Sequence, residues 1–99
     1  MEITKIVDGS AAMLSLSGRL SRESAPDLED ALNHLEENVT DLVLDLDGVD
    51  YISTTGLRQL LLAQKKMEGK GSLTIIRVSS DVVAVLQTAG LYGRLNILS

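Results

Sequence analysis

The sequence has no cysteine, phenylalanine or tryptophan, and only one proline and one histidine in 99 residues. Without cysteine there are no disulfides, thiolate metal sites or cysteine nucleophiles, which suits a reducing compartment. With Tyr51 and Tyr92 as the only aromatic residues, the chain lacks the stacking platform that single-strand nucleic-acid modules use. Positive charge is also scarce. Nine Lys and Arg face fourteen Asp and Glu, a net charge of -5, and the densest basic cluster is Lys65-Lys66 with Lys70 nearby. No basic stripe is available to displace counterions from nucleic acid, and an anionic membrane surface would repel the chain. A protein partner with a basic face suits this charge better. The longest apolar run, around Leu60-Leu61-Leu62-Ala63, is far too short to span a bilayer. Met1-Glu2-Ile3-Thr4-Lys5 reads as the approach to a strand, not as a signal peptide. The expectation is a cytoplasmic protein with neither nucleic-acid nor membrane partners.

What is present is 44% hydrophobic residues, so Leu, Val, Ile and Ala must fill the core. With no linker or low-complexity tract, residues 1–99 are expected to form one domain. Residues 3–7 read as a strand, and Asp8-Gly9 as a two-residue hairpin turn. In residues 11–17, Ala12, Leu14 and Leu16 alternate with Met13, Ser15 and Ser17 in a half-buried strand, which Gly18 ends. Ser24-Ala25-Pro26-Asp27 opens a helix with a Ser cap, Pro in the first turn and an acid at the positive end. Leu28, Leu32 and Leu35 lie on one face of it, and it should stop near Asn38. Leu42-Val43-Leu44 has the pattern of a strand buried on both faces. Gly48 should then turn a loop carrying Asp45, Asp47 and Asp50.

A second helix is expected from near Thr54 to Gly69, with Leu57, Leu60, Leu61 and Met67 inward. A strand should follow at residues 73–78. A third helix, capped at Ser79-Ser80-Asp81, should turn Val82, Val85, Leu86 and Ala89 inward and close at Gly90, before a last strand at 95–98. The order β-β-α-β-α-β-α-β implies an α/β fold: a hairpin joined to parallel strands by right-handed crossovers, the mixed sheet covered by helices. Binding sites in such sheets lie beyond the carboxyl ends of the strands, where residues 45–55 fall.

Catalytic chemistry fails on inventory. His34, opposite the Leu28, Leu32 and Leu35 face, reads as a solvated helix residue, and general-base work needs a positioned imidazole. Asp45, Asp47 and Asp50 begin like a calcium loop, but no Glu closes it at the required distance, so they read as caps of turns and of the next helix. Gly69-Lys70-Gly71-Ser72 lacks the phosphate-loop spacing and follows a helix. No catalytic residue, metal ligand or cofactor is expected. Ser53-Thr54-Thr55-Gly56 stands apart. One helix cap explains one hydroxyl, not three, and Gly56 in a first turn costs about 1 kcal/mol against Ala. Close approach of another chain to the backbone is the reading this suggests.

The stretch from Leu44 through Asp47-Gly48-Val49-Asp50-Tyr51-Ile52 to Ser53-Thr54-Thr55-Gly56-Leu57 resembles the STAS domain, specifically the bacterial anti-sigma factor antagonists. Gly18-Arg19-Leu20, Ser24-Ala25-Pro26-Asp27-Leu28 and Val85-Leu86-Gln87-Thr88-Ala89-Gly90-Leu91 agree with it, so the resemblance covers essentially the whole chain. It implies a STAS-like mixed sheet and a protein-binding switch that is not an enzyme. It makes Thr54, two residues before the glycine, the phosphoacceptor, with Ser53 in reserve. The implied partners are an anti-sigma factor that is a serine/threonine kinase and a protein phosphatase. The unphosphorylated form captures the anti-sigma factor and the phosphorylated form releases it. The partner surface is expected at Ser21, Ser53, Thr54, Thr55, Gly56 and Arg58. The chain departs from the family pattern in having Ser53 where Asp is frequent before the acceptor, and Ser21 where many members carry an acid. Two alternatives remain: a constitutive STAS subunit of a lipid-transport or signalling complex, and a small-molecule or nucleotide-binding module.

Overall fold

The computed structural model describes residues 1–98. Its elements follow the expected order: β1 (Glu2–Asp8), β2 (Ala11–Leu20), α1 (Ala25–Asn33), β3 (Asp41–Ile52), α2 (Thr54–Met67), β4 (Ser72–Ile76), α3 (Ser80–Thr88) and β5 (Ile97–Leu98). The strands lie side by side in chain order, β1 antiparallel to β2 and all later pairs parallel. This is the mixed α/β sheet that the hydrophobic pattern implies.

Each parallel step moves one place in the same direction, so crossovers of one hand put the helices on one face. Burial follows that rule. The rows Ala12–Leu42–Leu73 and Leu14–Leu44–Ile75 cross β2, β3 and β4 buried, while the alternate row Met13–Val43–Thr74 is half-buried. The strand at Leu42-Val43-Leu44 is therefore not buried on both faces, because no helix or strand among the described residues covers the second one. Leu28 and Leu32 of α1, Leu60, Ala63 and Met67 of α2, and Val82 and Leu86 of α3 complete the core. Each large side chain buried there contributes about 1.5–3 kcal/mol. Val85 and Ala89 are exposed, so the inward stripe of α3 is narrower than expected.

Local differences have local causes. The hairpin turns at Gly9-Ser10, since Asp8 pairs with Ala11 and Gly9 has φ 62°. Gly18 does not end β2, which runs on to Leu20. α1 stops at Asn33, not near Asn38, and a turn closed by Val39 N–H on the Glu36 carbonyl (3.1 Å) leads the chain to bury Val39. β4 ends at Ile76, because Arg77 takes a left-handed conformation with φ 55°.

The largest difference is β3. Residues 45–52 form no loop but continue the strand. Pairing with β2 passes from Ser15↔Asp45 to Ser17↔Gly48, and from Gly18↔Val49 to Arg19↔Tyr51, so β3 carries one extra residue at each shift. These are β-bulges. They explain the spacing of the buried positions Leu42, Leu44, Leu46, Val49 and Ile52: the step lengthens from two to three at each bulge, and the apolar side chains keep facing the helices.

Candidate functional site

The β2–β3 ladder ends at the pair Leu20↔Ile52, so Ser21 and Ser53 leave the sheet side by side at its carboxyl edge. Ser53 N–H donates to the Leu20 carbonyl at 2.9 Å, and Ser53 Oγ accepts from Gly56 N–H at 3.1 Å. Ser53 is thus the N-cap of α2, a role that contributes about 1 kcal/mol. Gly56 is buried. A Cβ there would lie 2.5 Å from the Leu20 carbonyl oxygen and 2.9 Å from Ile52 Cγ1. The glycine is therefore demanded by this chain's own packing of α2 on the end of β2. That corrects the expectation that a second chain approaches its backbone, and it takes Gly56 off the accessible surface.

The other two hydroxyls remain. Thr55 is half-buried, whereas Thr54 is exposed, and its hydroxyl enters none of the side-chain hydrogen bonds among the described residues. A pocket of about 480 Å³ opens here, lined by Ser21, Ser53, Thr54 and Thr55 together with Arg19, Arg22, Glu23 and Tyr51. Arg58 is exposed one turn along α2 from Thr54 and lies outside that lining.

Arg19, Arg22 and Tyr51 were not among the expected site residues. Their signal in the sequence is indirect: only the second bulge brings Tyr51 opposite Arg19. The Arg19 guanidinium lies 4.0 Å from the Tyr51 ring centroid, a cation–π contact that contributes about 0.5–1 kcal/mol where exposed. Ser24 holds the turn between them and α1. Its hydroxyl donates to the Arg19 carbonyl at 2.5 Å and accepts from Ser21 N–H at 2.9 Å. Ser24 stands at the N-cap position of α1 but makes no side-chain cap bond, so its expected capping role gives way to fixing the Arg19–Ser21 backbone.

The aspartates of β3 have other duties. Asp45 is buried, and Arg77 grips it with Nε 3.1 Å from Oδ1 and Nη2 on Oδ2. Asp45 Oδ1 also accepts from Asp47 N–H at 3.0 Å. The hydrogen bonds from Arg77 hold the Asp45 carboxyl below its ordinary value against the opposing effect of burial. Asp47 and Asp50 are exposed. None of the three caps α2. His34 is exposed beside the Asp30 carboxylate, 3.4 Å away. Among the described residues no three acidic or histidine side chains gather as a metal site, and no helix is long and apolar enough to cross a membrane.

Residues 4–98 match the family model described as Mlab, STAS domain. The chain belongs to the STAS domain family. No curated protein matches it in sequence. Among solved structures it is similar to a putative anti-sigma factor antagonist of Thermotoga maritima, with a TM-score of 0.88 and 17% identity over 98% of this chain and 86% of that one. It is also similar to a sulfate transporter family protein of Wolinella succinogenes, with a TM-score of 0.79 and 25% identity over 93% and 76% of the two chains. The Bacillus cell-fate determinant SpoIIAA, an anti-sigma factor antagonist, shares the fold in both its forms. The unphosphorylated form has a TM-score of 0.75 at 13% identity, over 99% of this chain and 88% of that one. The phosphorylated form has a TM-score of 0.66 at 15% identity, over 99% and 92%. STAS domains are as a rule binding modules and not enzymes.

Proposed function

We propose that this STAS domain is a cytoplasmic anti-sigma factor antagonist that works by binding and performs no chemistry of its own. In its unmodified state it captures an anti-sigma factor kinase at the α2 N-terminus. Phosphorylation of Thr54 by that kinase releases the partner, and a phosphatase restores binding. The observation that carries the reading is the division of labour among the three hydroxyls. Ser53 is committed to the cap and Thr55 is half-buried, while Thr54 is exposed and its hydroxyl makes no side-chain hydrogen bond among the described residues. That also moves Ser53, the reserve acceptor, further back. SpoIIAA, with the same fold, has been solved with and without phosphate.

The physics of the position suits a switch. A phosphate adds about -1.5 to -2 charges at neutral pH, and a helix N-terminus favours such charge by about 0.3–1 kcal/mol. The fold therefore tolerates the modification, whereas a misplaced charge at a protein interface costs several kcal/mol. About 3 kcal/mol weakens binding roughly a hundredfold.

Calorimetric binding of unmodified, phosphorylated, Thr54→Ala and Thr54→Glu proteins to a candidate anti-sigma kinase tests the reading. Thr54→Ala should bind whether or not ATP is present. Phosphorylated protein should bind about a hundredfold more weakly, and Thr54→Glu should fall between, since it carries about one charge. Equal binding of phosphorylated and unmodified protein would refute the switch. It would favour a second reading, a constitutive STAS subunit of a transport or signalling complex, which the Mlab description and the sulfate transporter neighbour support.

A further inference from the structure

Three arginines surround the first turns of α2, and the fold leaves their charges unpaired. Arg19 stacks on Tyr51, Arg22 lines the same pocket, and Arg58 is exposed one turn beyond Thr54. None of them takes part in an ion pair among the described residues, which is equally true of Lys65, Lys66, Lys70 and Arg94; what sets Arg19 and Arg22 apart is that both line one pocket with Thr54. In a chain with fourteen acids and nine bases, two arginines beside a single acid, Glu23, make the lining of this pocket locally positive.

The pocket does not stop at the arginines. A second hollow of about 350 Å³ adjoins it, and the two share Thr54, Leu57 and Val85. The second hollow is walled by the outer side of α3, with Ala84 and Ala89 beside Val85. Val85 is 37% exposed and Tyr51 41%, so large apolar surface faces solvent at both ends. The whole is one groove: at one end Arg19 and Arg22 outnumber a single acid, Glu23, and the other end is apolar, where the faces of α2 and α3 present side-chain ridges that suit another helix.

We propose that this groove seats an amphipathic helix of the partner whose apolar stripe packs on Leu57 and Val85 and whose acidic side chains reach Arg19 and Arg22. The proposal rests on the reading of this end as the partner-binding surface and adds the partner's chemistry. Helix-in-groove recognition of this kind is read through anchors at i, i+3, i+4 and i+7. The partner face is acidic, opposite to what the net charge of the whole chain suggests, because the local charge of the groove decides the encounter. A phosphate on Thr54 would stand in the same pocket as Arg19 and Arg22 and take them through charge-assisted hydrogen bonds. It would thereby compete with the partner's carboxylates for the same donors.

The test uses two helix-stapled peptides of about four turns, ~14 residues each. They carry the same leucine stripe, flanked by Glu in one and by Lys in the other, and are titrated into isotope-labelled protein while amide shifts are followed. The Glu peptide should shift Thr54, Leu57 and Val85 and bind at least about tenfold more tightly than the Lys peptide. The double variant Arg19→Glu, Arg22→Glu should reverse that preference. If the double variant loses its dispersed spectrum, Arg22→Ala alone, which leaves the Tyr51 stack intact, should still reduce the preference. Equal binding of both peptides, preference for Lys, no binding of the Glu peptide, or shifts falling instead on Met13 and Val43 would each overturn the proposal. The peptides involve no kinase and no phosphate, so their failure leaves the Thr54 switch standing, and failure of that switch leaves the groove standing.

Discussion

Gly56 and Thr54 stand two residues apart in the first turn of α2 and answer to different constraints. Gly56 is held by the Leu20 carbonyl, which leaves no room for a Cβ, whereas Thr54 faces solvent. Gly56→Ala gains about 1 kcal/mol of helix propensity but puts a Cβ 2.5 Å from a backbone oxygen that cannot give way, and overpacking of that severity costs about 3 kcal/mol. The variant should be destabilised, with a lower urea midpoint and an unchanged slope. An unchanged midpoint would refute the packing account. Thr54→Ala should leave the midpoint close to that of the wild type. At this scale the junction was legible and its division of labour was not. The run of hydroxyls marked a strand-to-helix turn, but the role of each depends on a carbonyl contributed by β2, which the local sequence does not contain.

At the scale of elements, the helices and their faces were readable from apolar spacing, and β3 was readable only in its first half. Gly48 and three aspartates look like a loop, yet Leu46, Val49 and Ile52 continue the buried row once two bulges are allowed. The polar residues of that stretch face away from the helices or pair, and Asp45 ties β3 to the residue after β4 through Arg77. The Asp45 carboxyl titrates below its ordinary value of 3.8 in the folded protein. The stabilisation from its depressed value is therefore fully present above about pH 4 and is lost as the pH falls through the folded value. Arg77→Gln keeps the left-handed backbone cost of a non-glycine residue but removes the guanidinium. It should lower the urea midpoint at neutral pH, and the gap from wild type should narrow near pH 3. Glu36, also lowered by its bond to Lys5, titrates alike in both proteins and cancels from the difference. A gap as wide near pH 3 as at neutral pH would show that the ion pair is not its source.

At the scale of the whole molecule, the parts that fold and the parts that recognise are separated in space. The buried rows run through the middle of the sheet under the helices. The groove lies at the carboxyl edge, where Ser21, Thr54 and Val85 meet beyond the end of the hydrogen-bonded ladder. Composition alone gave the acidic balance of the chain but not this segregation, because Arg19 and Arg22 join Thr54 at one pocket only through the register of β2 on β3 and the first turn of α2. The separation predicts how a charge on Thr54 acts. Protein openings range from local fraying to global unfolding, and hydrogen exchange distinguishes them. A phosphate at the edge should alter exchange only in residues 21–24 and 53–57, while the amides of residues 42–46 and 73–75 keep their protection. Comparison of phosphorylated and unmodified protein by hydrogen-exchange mass spectrometry tests this. Loss of protection in the central strands would mean that the switch works by loosening the fold, and a surface mechanism at Thr54 would then be wrong.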